Sequence, residues 1–367
     1  MTNKKVCIIT ITGENNYGNR LQNYALEYIL RKLKSDVKTL SNSYWKKYSR
    51  YTYKERIWLV YLLILKKVTR LPIKRRLRFR KFDSQFIARD IVKGELSKQN
   101  YDYYVCGSDQ IWNFNFFPDK KDLFFAKFVA PEKRIAYSAS IGMDYIPDKY
   151  ISYFKEAIME FKDISVREDK AAEIIKELTG RNVIVTVDPT LLLNQEEWLK
   201  IAKKPKWIKN GNYLLTYFLG DISDEIESFI KNICVKYNFK IINLYSEYAN
   251  GEDVDVNSFC SGPDEFVWLI ANSKLFITDS YHGCVFATIF NKSFRWFSRN
   301  EKGVANMNSR MDTLFSKLQI GDWCIGDVNE DINHLFYKDY SKVQKNLERE
   351  KKVAMSYLQR SLNNEQK

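Results

Sequence analysis

The chain has 367 residues and a formal net charge of +14, and 45% of its residues are hydrophobic and 15% aromatic. This composition is typical of a folded protein and excludes an intrinsically disordered chain. The length exceeds the roughly 250 to 300 residues at which a single hydrophobic core usually divides, so we expect two domains.

Short runs of β-branched and aromatic residues alternate with helical patterns along most of the chain, which predicts α/β layers with parallel sheets. For the first half, the patterns predict helices at 19–33 and 170–178 and strands at 6–12, 103–106, 134–140, 163–166 and 183–187. We expect these elements to form one sheet.

A second series of elements follows the lysine-rich stretch at 203–212. The patterns predict helices at 224–237, at 263–272 and from near Cys284, and strands at 213–219, 240–244 and 275–278. The predicted fold class is α/β, with two Rossmann-like domains, 1–200 and 205–338, facing a cleft, and a helix at 340–367 that could cross back to the N-terminal domain. Ligands bind at the carboxyl ends of the strands in such folds, so the cleft is the expected site.

The positive charge is concentrated between Tyr44 and Asn100, where 17 Lys plus Arg face four Asp plus Glu. We predict a basic helical insertion at 44–100 in the N-terminal domain. Its apolar run at 57–65 is followed by basic residues through Lys81, a pattern that suits a peripheral contact with an anionic bilayer. A helix that packs on the domain and keeps a solvated basic face is the open alternative.

The sequence disfavours three classes of protein: those that span a membrane, those that bind a metal and those that bind a cofactor. The apolar run at 57–65 has nine residues, whereas a helical crossing needs ~20. The six cysteines show no CxxC spacing and the chain has two histidines, which indicates reduced cytoplasmic thiols and no metal site. We therefore expect a cytoplasmic enzyme without a cofactor, peripheral at the inner face of the cytoplasmic membrane if the basic insertion binds lipid.

The strongest local motif is TDSYHG at 278–283, between a predicted strand and a predicted helix. Such a turn gathers backbone N–H groups and the positive end of the helix dipole, which favours an anion near Ser280 and Gly283. His282 could exchange protons there near neutral pH. A packed or surface histidine is the alternative, but the position of His282 at a strand end favours a functional role.

Two other strand ends carry candidate side chains. Arg167 follows the strand at 163–166, where it could clamp a carboxylate or a phosphate, or pair at the surface with Glu168 or Asp169. Asp109 and Gln110 follow the strand at 103–106, in a combination that is common in carbohydrate sites.

The turn after the first strand contains Asn16, Tyr17 and, one helical turn later, Gln22. It lacks the G-x-G-x-x-G pattern, which disfavours a dinucleotide cofactor. Amides and a phenol suit hydrogen bonding to hydroxyls, and ordinary turn and capping chemistry is the alternative.

Eight stretches in this order resemble the polysaccharide pyruvyl transferase family. They are NNYGNRLQNYAL (15–26), GSDQIWN (107–113), RIAYSASIG (134–142), ISVREDK (164–170), VDPTLLL (187–193), LLTYFLGD (214–221), FVWLIANSKLFITDSYHGCVFA (266–287) and NSRMDTLFSKL (308–318). The resemblance implies a GT-B-like fold and transfer of the pyruvyl group of phosphoenolpyruvate to a sugar, which forms a pyruvate ketal and releases phosphate.

The resemblance also implies site residues. His282 matches the family's histidine and would be the general acid, and Arg167 matches its arginine and would hold the donor. Some members carry an arginine where this chain has Ser280, and Arg310 or Arg20 could replace it. The C-terminal domain would be the donor side, with Ser280, Gly283 and Arg310, and the N-terminal domain the acceptor side, with Asn16, Tyr17, Gln22, Asp109 and Gln110.

The expected function is therefore a bacterial pyruvyl transferase that uses phosphoenolpyruvate as co-substrate. Its acceptor would be a sugar of a capsule, exopolysaccharide or other surface-polysaccharide precursor, in some cases lipid-linked. A GT-B glycosyltransferase that uses a nucleotide sugar is the enzymatic alternative. A non-enzymatic basic module has the charge cluster in its favour but no nucleic-acid motif, so no nucleic-acid partner is expected.

Overall fold

The computed structural model contains two parallel sheets. It describes residues 4–13, 15–42, 71–92, 100–209, 211–246, 255–299, 308–336 and 339–363. The strands of the first sheet are β1 (Lys4–Ile9), β2 (Ser35–Asn42), β3 (Arg89–Val92), β4 (Tyr103–Cys106), β5 (Arg134–Ala139), β6 (Asp163–Val166) and β7 (Ile184–Val185). Those of the second sheet are β8 (Tyr213–Phe218), β9 (Lys240–Tyr245), β10 (Leu275–Thr278) and β11 (Phe294–Trp296).

Helices cover both sheets. Within the described ranges they are α1 (Tyr17–Lys32), α2 (Leu71–Phe86), α3 (Lys121–Phe124), α4 (Ile151–Met159), α5 (Asp169–Thr179), α6 (Gln195–Leu199), α7 (Asp224–Tyr237), α8 (Val256–Phe259), α9 (Pro263–Asn272), α10 (Tyr281–Ile289), α11 (Ser309–Leu318) and α12 (Ser341–Asn363). None of these described helices is both long and apolar enough to span a bilayer.

The strand order predicts one crevice at the carboxyl edge of each sheet. The first sheet runs β3-β2-β1-β4-β5-β6-β7 and the second β11-β10-β8-β9, with parallel pairing in both. The order reverses between β1 and β4 in the first sheet and between β8 and β10 in the second. Loops that leave the carboxyl ends of such strands diverge and leave room for a ligand.

Several strands are fully buried, and such strands can be predicted from the sequence because they are continuous apolar runs. Every residue of β4, β5 and β10 is buried, as expected for parallel strands covered by helices on both faces. Aromatic contacts join the layers of the two sheets. The ring of Tyr17 stacks on Phe266 with centroids 4.5 Å apart, and Trp198 meets Phe286 edge to face at 4.8 Å. One hydrophobic cluster therefore includes residues from both sheets.

The predicted basic insertion contributes to the first sheet. Its described part forms α2 and the edge strand β3, which pairs with β2, so the segment is not purely helical. The part of the insertion before α2, residues 44–70 with the apolar run at 57–65, lies outside the described residues.

Arg75 of α2 is a buried structural cation. Its Nη1 donates to the carbonyl oxygen of Phe259 at 2.7 Å and its Nη2 to that of Asn15 at 3.0 Å. Its guanidinium also lies 4.7 Å from the ring centroid of Tyr17. The basic insertion predicts a solvated or lipid-facing surface for its cations, and that interpretation is wrong for Arg75, which is 1% exposed.

The C-terminal helix contacts elements of both sheets. Near its start, Gln344 Nε2 donates to the carbonyl oxygen of Thr288 in α10 at 3.2 Å. Near its end, the Tyr357 hydroxyl donates to the carbonyl oxygen of Ala136 in β5 at 2.7 Å. The domain limits at 200 and 205 stay predictions.

Candidate active site

Polar side chains from both sheets meet at the carboxyl edge of the first sheet. Three loops of this sheet contribute, those after β4, β6 and β7, and the second sheet contributes the first turn of α10. The central side chains are Asp109, Arg167, Asp188 and His282. Each of these residues is less than 9% exposed, so their charges interact in a largely water-free environment.

Asp188 is the centre of the hydrogen-bond network. Its Oδ2 accepts from Arg167 Nη1 at 3.0 Å and from Ser108 Oγ at 2.6 Å. Its Oδ1 accepts from the backbone N–H of Thr190 at 3.0 Å and from the Thr190 hydroxyl at 2.7 Å. Burial alone would raise the pKa of Asp188, but its contacts with His282, Arg167 and Ser108 lower that pKa below its usual range. The carboxylate therefore stays ionised at neutral pH.

His282 lies between this carboxylate and the backbone of α1. Its Nε2 is 3.6 Å from Asp188 Oδ2, an ion-pair distance that is longer than a hydrogen bond. On the other side of the ring, a Cβ added to Gly18 would stand 2.1 Å from His282 Nδ1. Nε2 is buried and has no hydrogen-bond partner among the described residues. Its hydrogen-bonding capacity is therefore not used within the described residues.

The turn that carries His282 is held by its own hydrogen bonds. Ser280 is the N-cap of α10, and its hydroxyl oxygen accepts from the backbone N–H of Gly283 at 3.2 Å. Asp279 accepts from the backbone N–H groups of Leu219 and Gly220 at 2.7 and 2.9 Å, which joins the loops after β8 and β10. A Cβ at Gly283 would come within 2.9 Å of Thr278 Oγ1, so glycine permits the close packing here.

Two guanidinium groups flank the ring of Tyr281. The Cζ atom of Arg167 is 4.5 Å from the ring centroid and that of Arg310 is 6.0 Å. Burial, together with the positive charge of Arg167, lowers the pKa of Arg310 to about 10. Arg167 Nε and Nη2 and Arg310 Nε are buried without hydrogen-bond partners among the described residues. Two neighbouring cations with unused donors favour a bound anion.

Arg167 is also surrounded by carboxylates. Besides Asp188, it lies 3.7 Å from Asp109 Oδ1 and 4.0 Å from Glu168 Oε2. Burial alone would lower the pKa of Arg167, but Tyr281 and these acids raise it above its usual value. Arg167 is therefore a permanently charged, buried group, which decides against the surface salt bridge that the sequence left open.

The loop after β4 contacts both arginines. Asp109 has a positive φ of 81°, a conformation that costs a non-glycine residue ~1–3 kcal/mol and that is frequent at functional sites. Gln110 lies beside Arg310. With its amide turned so that the oxygen faces the guanidinium, the oxygen accepts from Arg310 Nη1 at 2.6 Å and from Nη2 at 3.1 Å. Asp109 and Gln110, predicted on the acceptor side, thus lie next to the predicted donor residues.

The residues predicted at the first turn have structural contacts. Asn16 caps α1 by accepting from the backbone N–H of Asn19 at 3.2 Å. Tyr17 is 0% exposed and its hydroxyl donates to the carbonyl oxygen of Ser261 at 3.1 Å. Gln22 is also fully buried, and its amide donates to Thr10 Oγ1 at 2.8 Å. Burial of Tyr17 and Gln22 does not support the prediction that they bind an acceptor sugar.

Arg20 was one of two candidates to replace the arginine absent at Ser280. Its guanidinium is buried, donates to the carbonyl oxygen of Ile11 and lies 3.5 Å from Asp83 of α2. Arg310 remains the better candidate because it lies beside Arg167 and Tyr281.

Sequence reasoning assigned no role to Asp188 or Tyr281, and it considered Glu168 only as a surface salt-bridge partner of Arg167. Glu168 Oε1 accepts from the backbone N–H groups of Ile141 and Gly142 at 2.8 and 3.0 Å, which fixes the loop after β5. Asp188 follows the predicted strand at 183–187, and that position at a strand end was a signal that could have identified it. No cluster of three or more potential metal ligands occurs in the part of the chain that the structure describes.

Comparison with protein families gives a match over most of the chain. A family model described as polysaccharide pyruvyl transferase matches residues 16–301. This range contains Asp109, Arg167, Asp188 and His282. Comparison with curated proteins gave no match.

Solved structures resemble the chain in fold at low sequence identity. A protein from Listeria monocytogenes described as a UDP-N-acetylglucosamine 2-epimerase is 11% identical with a TM-score of 0.50, over 96% of this chain and 91% of that chain. The MurG protein of Acinetobacter baumannii is 8% identical with a TM-score of 0.42, over 98% of both chains. The Listeria structure, together with the two parallel sheets, confirms the predicted α/β fold class of the GT-B type.

Proposed function

Because this chain belongs to the polysaccharide pyruvyl transferase family, we propose that it transfers the pyruvyl group of phosphoenolpyruvate to two hydroxyls of a sugar, forming a ketal. The observation that carries the proposal is the meeting of His282 and Arg167 at one buried carboxylate, Asp188, with Arg310 near the same Tyr281 ring as Arg167. This arrangement combines a proton donor with an anion-binding pair, the two groups that the reaction needs.

The two arginines would hold the donor. Phosphoenolpyruvate carries a phosphate and a carboxylate, and Arg167 and Arg310 have buried N–H groups without hydrogen-bond partners among the described residues. The N-terminus of α10, a helix of nine residues, adds the positive end of its dipole. Arg310 would supply the positive charge that some other family members have at the position of Ser280.

His282 would act as the general acid. Its Nε2–H protonates the methylene carbon of phosphoenolpyruvate, which becomes the methyl group and leaves an oxocarbenium-like centre at the neighbouring carbon. One sugar hydroxyl adds to this centre and its proton returns to the imidazole. Phosphate then leaves as the second hydroxyl adds, and the proton of that hydroxyl departs with the phosphate. The products are a cyclic ketal and inorganic phosphate, with no net change in protons on the enzyme.

Asp188 would hold the proton donor His282 and the donor-binding Arg167 in fixed positions. Its carboxylate bonds Arg167 Nη1 at 3.0 Å and lies 3.6 Å from His282 Nε2. A negative charge at this distance compensates the imidazolium before it gives up its proton. Ser108 and Thr190 fix the carboxylate, so the donor would meet a preorganised site.

The proposed acceptor is a sugar of a bacterial surface-polysaccharide precursor, such as one for a capsule or an exopolysaccharide, free or lipid-linked. Asp109 and Gln110 would border the acceptor hydroxyls, because they lie next to the arginines at the edge of the same site. The proposed reaction takes place in the cytoplasm and uses no cofactor, since phosphoenolpyruvate already carries the activated enol.

The proposal is tested by incubating the protein with phosphoenolpyruvate and candidate oligosaccharides and measuring both products. Phosphate and the pyruvylated sugar should form in equal amounts. His282→Ala should abolish both, whereas the matched variant His334→Ala should not, because the side chain of His334 is 81% exposed and distant from the site in sequence. Full activity of His282→Ala would remove this histidine from the mechanism.

A nucleotide-sugar glycosyltransferase is the second candidate, and the GT-B-type fold is the observation in its favour. The two candidates predict different ligands for the native state, and a ligand that binds only the native state raises its melting temperature. Stabilisation by phosphoenolpyruvate but not by UDP or GDP supports pyruvyl transfer. The reverse pattern supports the glycosyltransferase.

A further inference from the structure

A groove outside the active site lies between α2 and the start of α8 and α9. It has a volume of about 480 Å³, within the range of ~300–1,000 Å³ that is usual for small-molecule sites. Basic, aromatic and aliphatic side chains share its walls. They include Lys74, Leu77, Arg78, Lys81, Trp207, Val256 and Glu265.

One wall of the groove is strongly basic. Lys74, Arg78 and Lys81 are spaced four and three residues apart, so they share one face of α2. Arg78 pairs with Glu265 at 3.7 Å. Lys74 and Lys81 are exposed and have no carboxylate partner among the described residues. The groove therefore retains unneutralised positive charge that complements an anion.

Apolar side chains lie beside these lysines. Leu77, on the same face of α2, is 57% exposed, and Val256 at the start of α8 is 44% exposed. Trp207 is half-buried at the same groove. A phosphate group on its own would gain nothing from these apolar contacts, whereas a molecule with a phosphate and a hydrocarbon part would use both kinds of wall.

We propose that this groove docks the protein on a membrane by binding the head group and the upper acyl methylenes of an anionic phospholipid. Lys74 and Lys81 bind the phosphate, and Leu77 and Val256 contact the methylenes. Trp207 adds an aromatic ring of the kind that is enriched at membrane surfaces. The contact uses the basic outer face of α2, because its buried face packs Phe79 and Phe82 into the protein.

The groove also borders the helix that supports the active site. Arg75, next to Lys74, donates to the carbonyl oxygen of Asn15 and contacts the ring of Tyr17. Gly18, the next residue of α1, lies against His282. Arg75 therefore connects α2 to the turn of α1 that contacts His282. The docking itself does not rest on the proposed reaction.

The test is co-sedimentation of the full chain with vesicles of phosphatidylcholine alone or mixed with phosphatidylglycerol. The wild type should bind the mixed vesicles and not the neutral ones. Lys74→Gln with Lys81→Gln should weaken the partition coefficient about 30-fold, since each lysine near an anionic surface contributes ~1 kcal/mol. At high salt, where the charges are screened, Leu77→Ser should lower the partition coefficient that remains for the wild type.

The matched control is Lys155→Gln with Lys176→Gln, two exposed lysines on α4 and α5 that change the net charge equally. This variant should bind the mixed vesicles like the wild type. The proposal is overturned if both lysine pairs weaken binding alike, or if the groove variant binds normally. Binding to single-stranded RNA but not to vesicles would also overturn it. All of these outcomes are independent of pyruvyl transfer.

Discussion

His282 Nε2 lies 3.6 Å from Asp188 Oδ2, and this pair joins the first turn of α10 in the second sheet to the strand end of β7 in the first. The carboxylate is fully buried and also bonds Arg167. The position of the proton donor therefore depends on how the layers of the two sheets pack against each other.

Asp188→Asn keeps the size of the side chain and removes its charge. Arg167 would lose its closest counter-charge and the imidazole its anionic neighbour, so we expect kcat for pyruvyl transfer to fall by about 100-fold or more. Breaking one side of a buried ion pair should also lower the free energy of unfolding by ~3–5 kcal/mol. Steady-state kinetics and urea unfolding measure the two effects. Wild-type kcat in this variant would contradict the proposed role.

The same variant gives a pH test. Folding lowers the pKa of Asp188 from an ordinary value of ~3.9. Its stabilising contribution is therefore fully present above that value and is lost as the pH falls through the lowered, folded-state pKa. The difference in unfolding free energy between wild type and Asp188→Asn should shrink between about pH 5 and pH 3. A difference that stays constant over this range would show that Asp188 is not a charged partner.

Gly18→Ala tests the support of His282 by α1. The added Cβ would stand 2.1 Å from His282 Nδ1, so the imidazole has to move. We expect kcat to fall by about 100-fold, because small displacements of a catalytic group have effects of that order. The control is Gly211→Ala, since a Cβ at Gly211 meets nothing within 4 Å. Equal activity of the two variants would show that the contact with α1 does not position His282.

Arg310→Met should lower the affinity for phosphoenolpyruvate without lowering the free energy of unfolding. The pKa of Arg310 is lowered to about 10 by burial and by Arg167, so its charged form is disfavoured in the folded state. Replacing it with a neutral side chain should leave the unfolding free energy unchanged or higher. Affinity for phosphoenolpyruvate should fall about 10- to 150-fold, as expected for a lost charged hydrogen bond of ~1.5–3 kcal/mol. Calorimetric titration measures this, and an unchanged affinity would exclude Arg310 from the donor site.

Tyr17→Phe tests whether Tyr17 is structural. Its hydroxyl donates to the carbonyl oxygen of Ser261 and accepts from Arg75 Nη1 at 3.2 Å. Loss of these bonds should lower the free energy of unfolding by ~1–3 kcal/mol and leave the KM for the acceptor unchanged. A selective rise in that KM would instead restore Tyr17 to the acceptor site.

The sequence predicted the buried elements of the fold well. The strands at 103–106, 163–166 and 275–278 and the helices at 224–237 and 263–272 have the predicted bounds, because buried parallel strands are continuous apolar runs and these helices have clear ends. In the basic insertion it predicted helical structure without the bounds of α2, and it missed β3. The apolar residues of α2 are separated by arginines and lysines, and β3 is an edge strand of four residues.

The candidate site was predictable only in part. His282 and Arg167 follow strands, and the topology of parallel sheets places such residues at one edge. Their common partner Asp188 also follows a predicted strand, but its contacts with Ser108 and His282 could not be predicted, because these residues are 80 and 94 positions away in the chain. The burial of Tyr17 could not be predicted from the sequence either, since it depends on contacts with Phe266 and Ser261 in the second half of the chain.

The most direct test of the account is to run the reaction with phosphoenolpyruvate and a sugar acceptor in D₂O and to determine the deuterium in the product by mass spectrometry and NMR. If His282 protonates the methylene carbon, the ketal methyl group formed by the wild type and by His334→Ala carries a deuteron, and His282→Ala forms no ketal. A ketal methyl without deuterium, or the same labelled product formed by His282→Ala at the wild-type rate, would contradict the central claim.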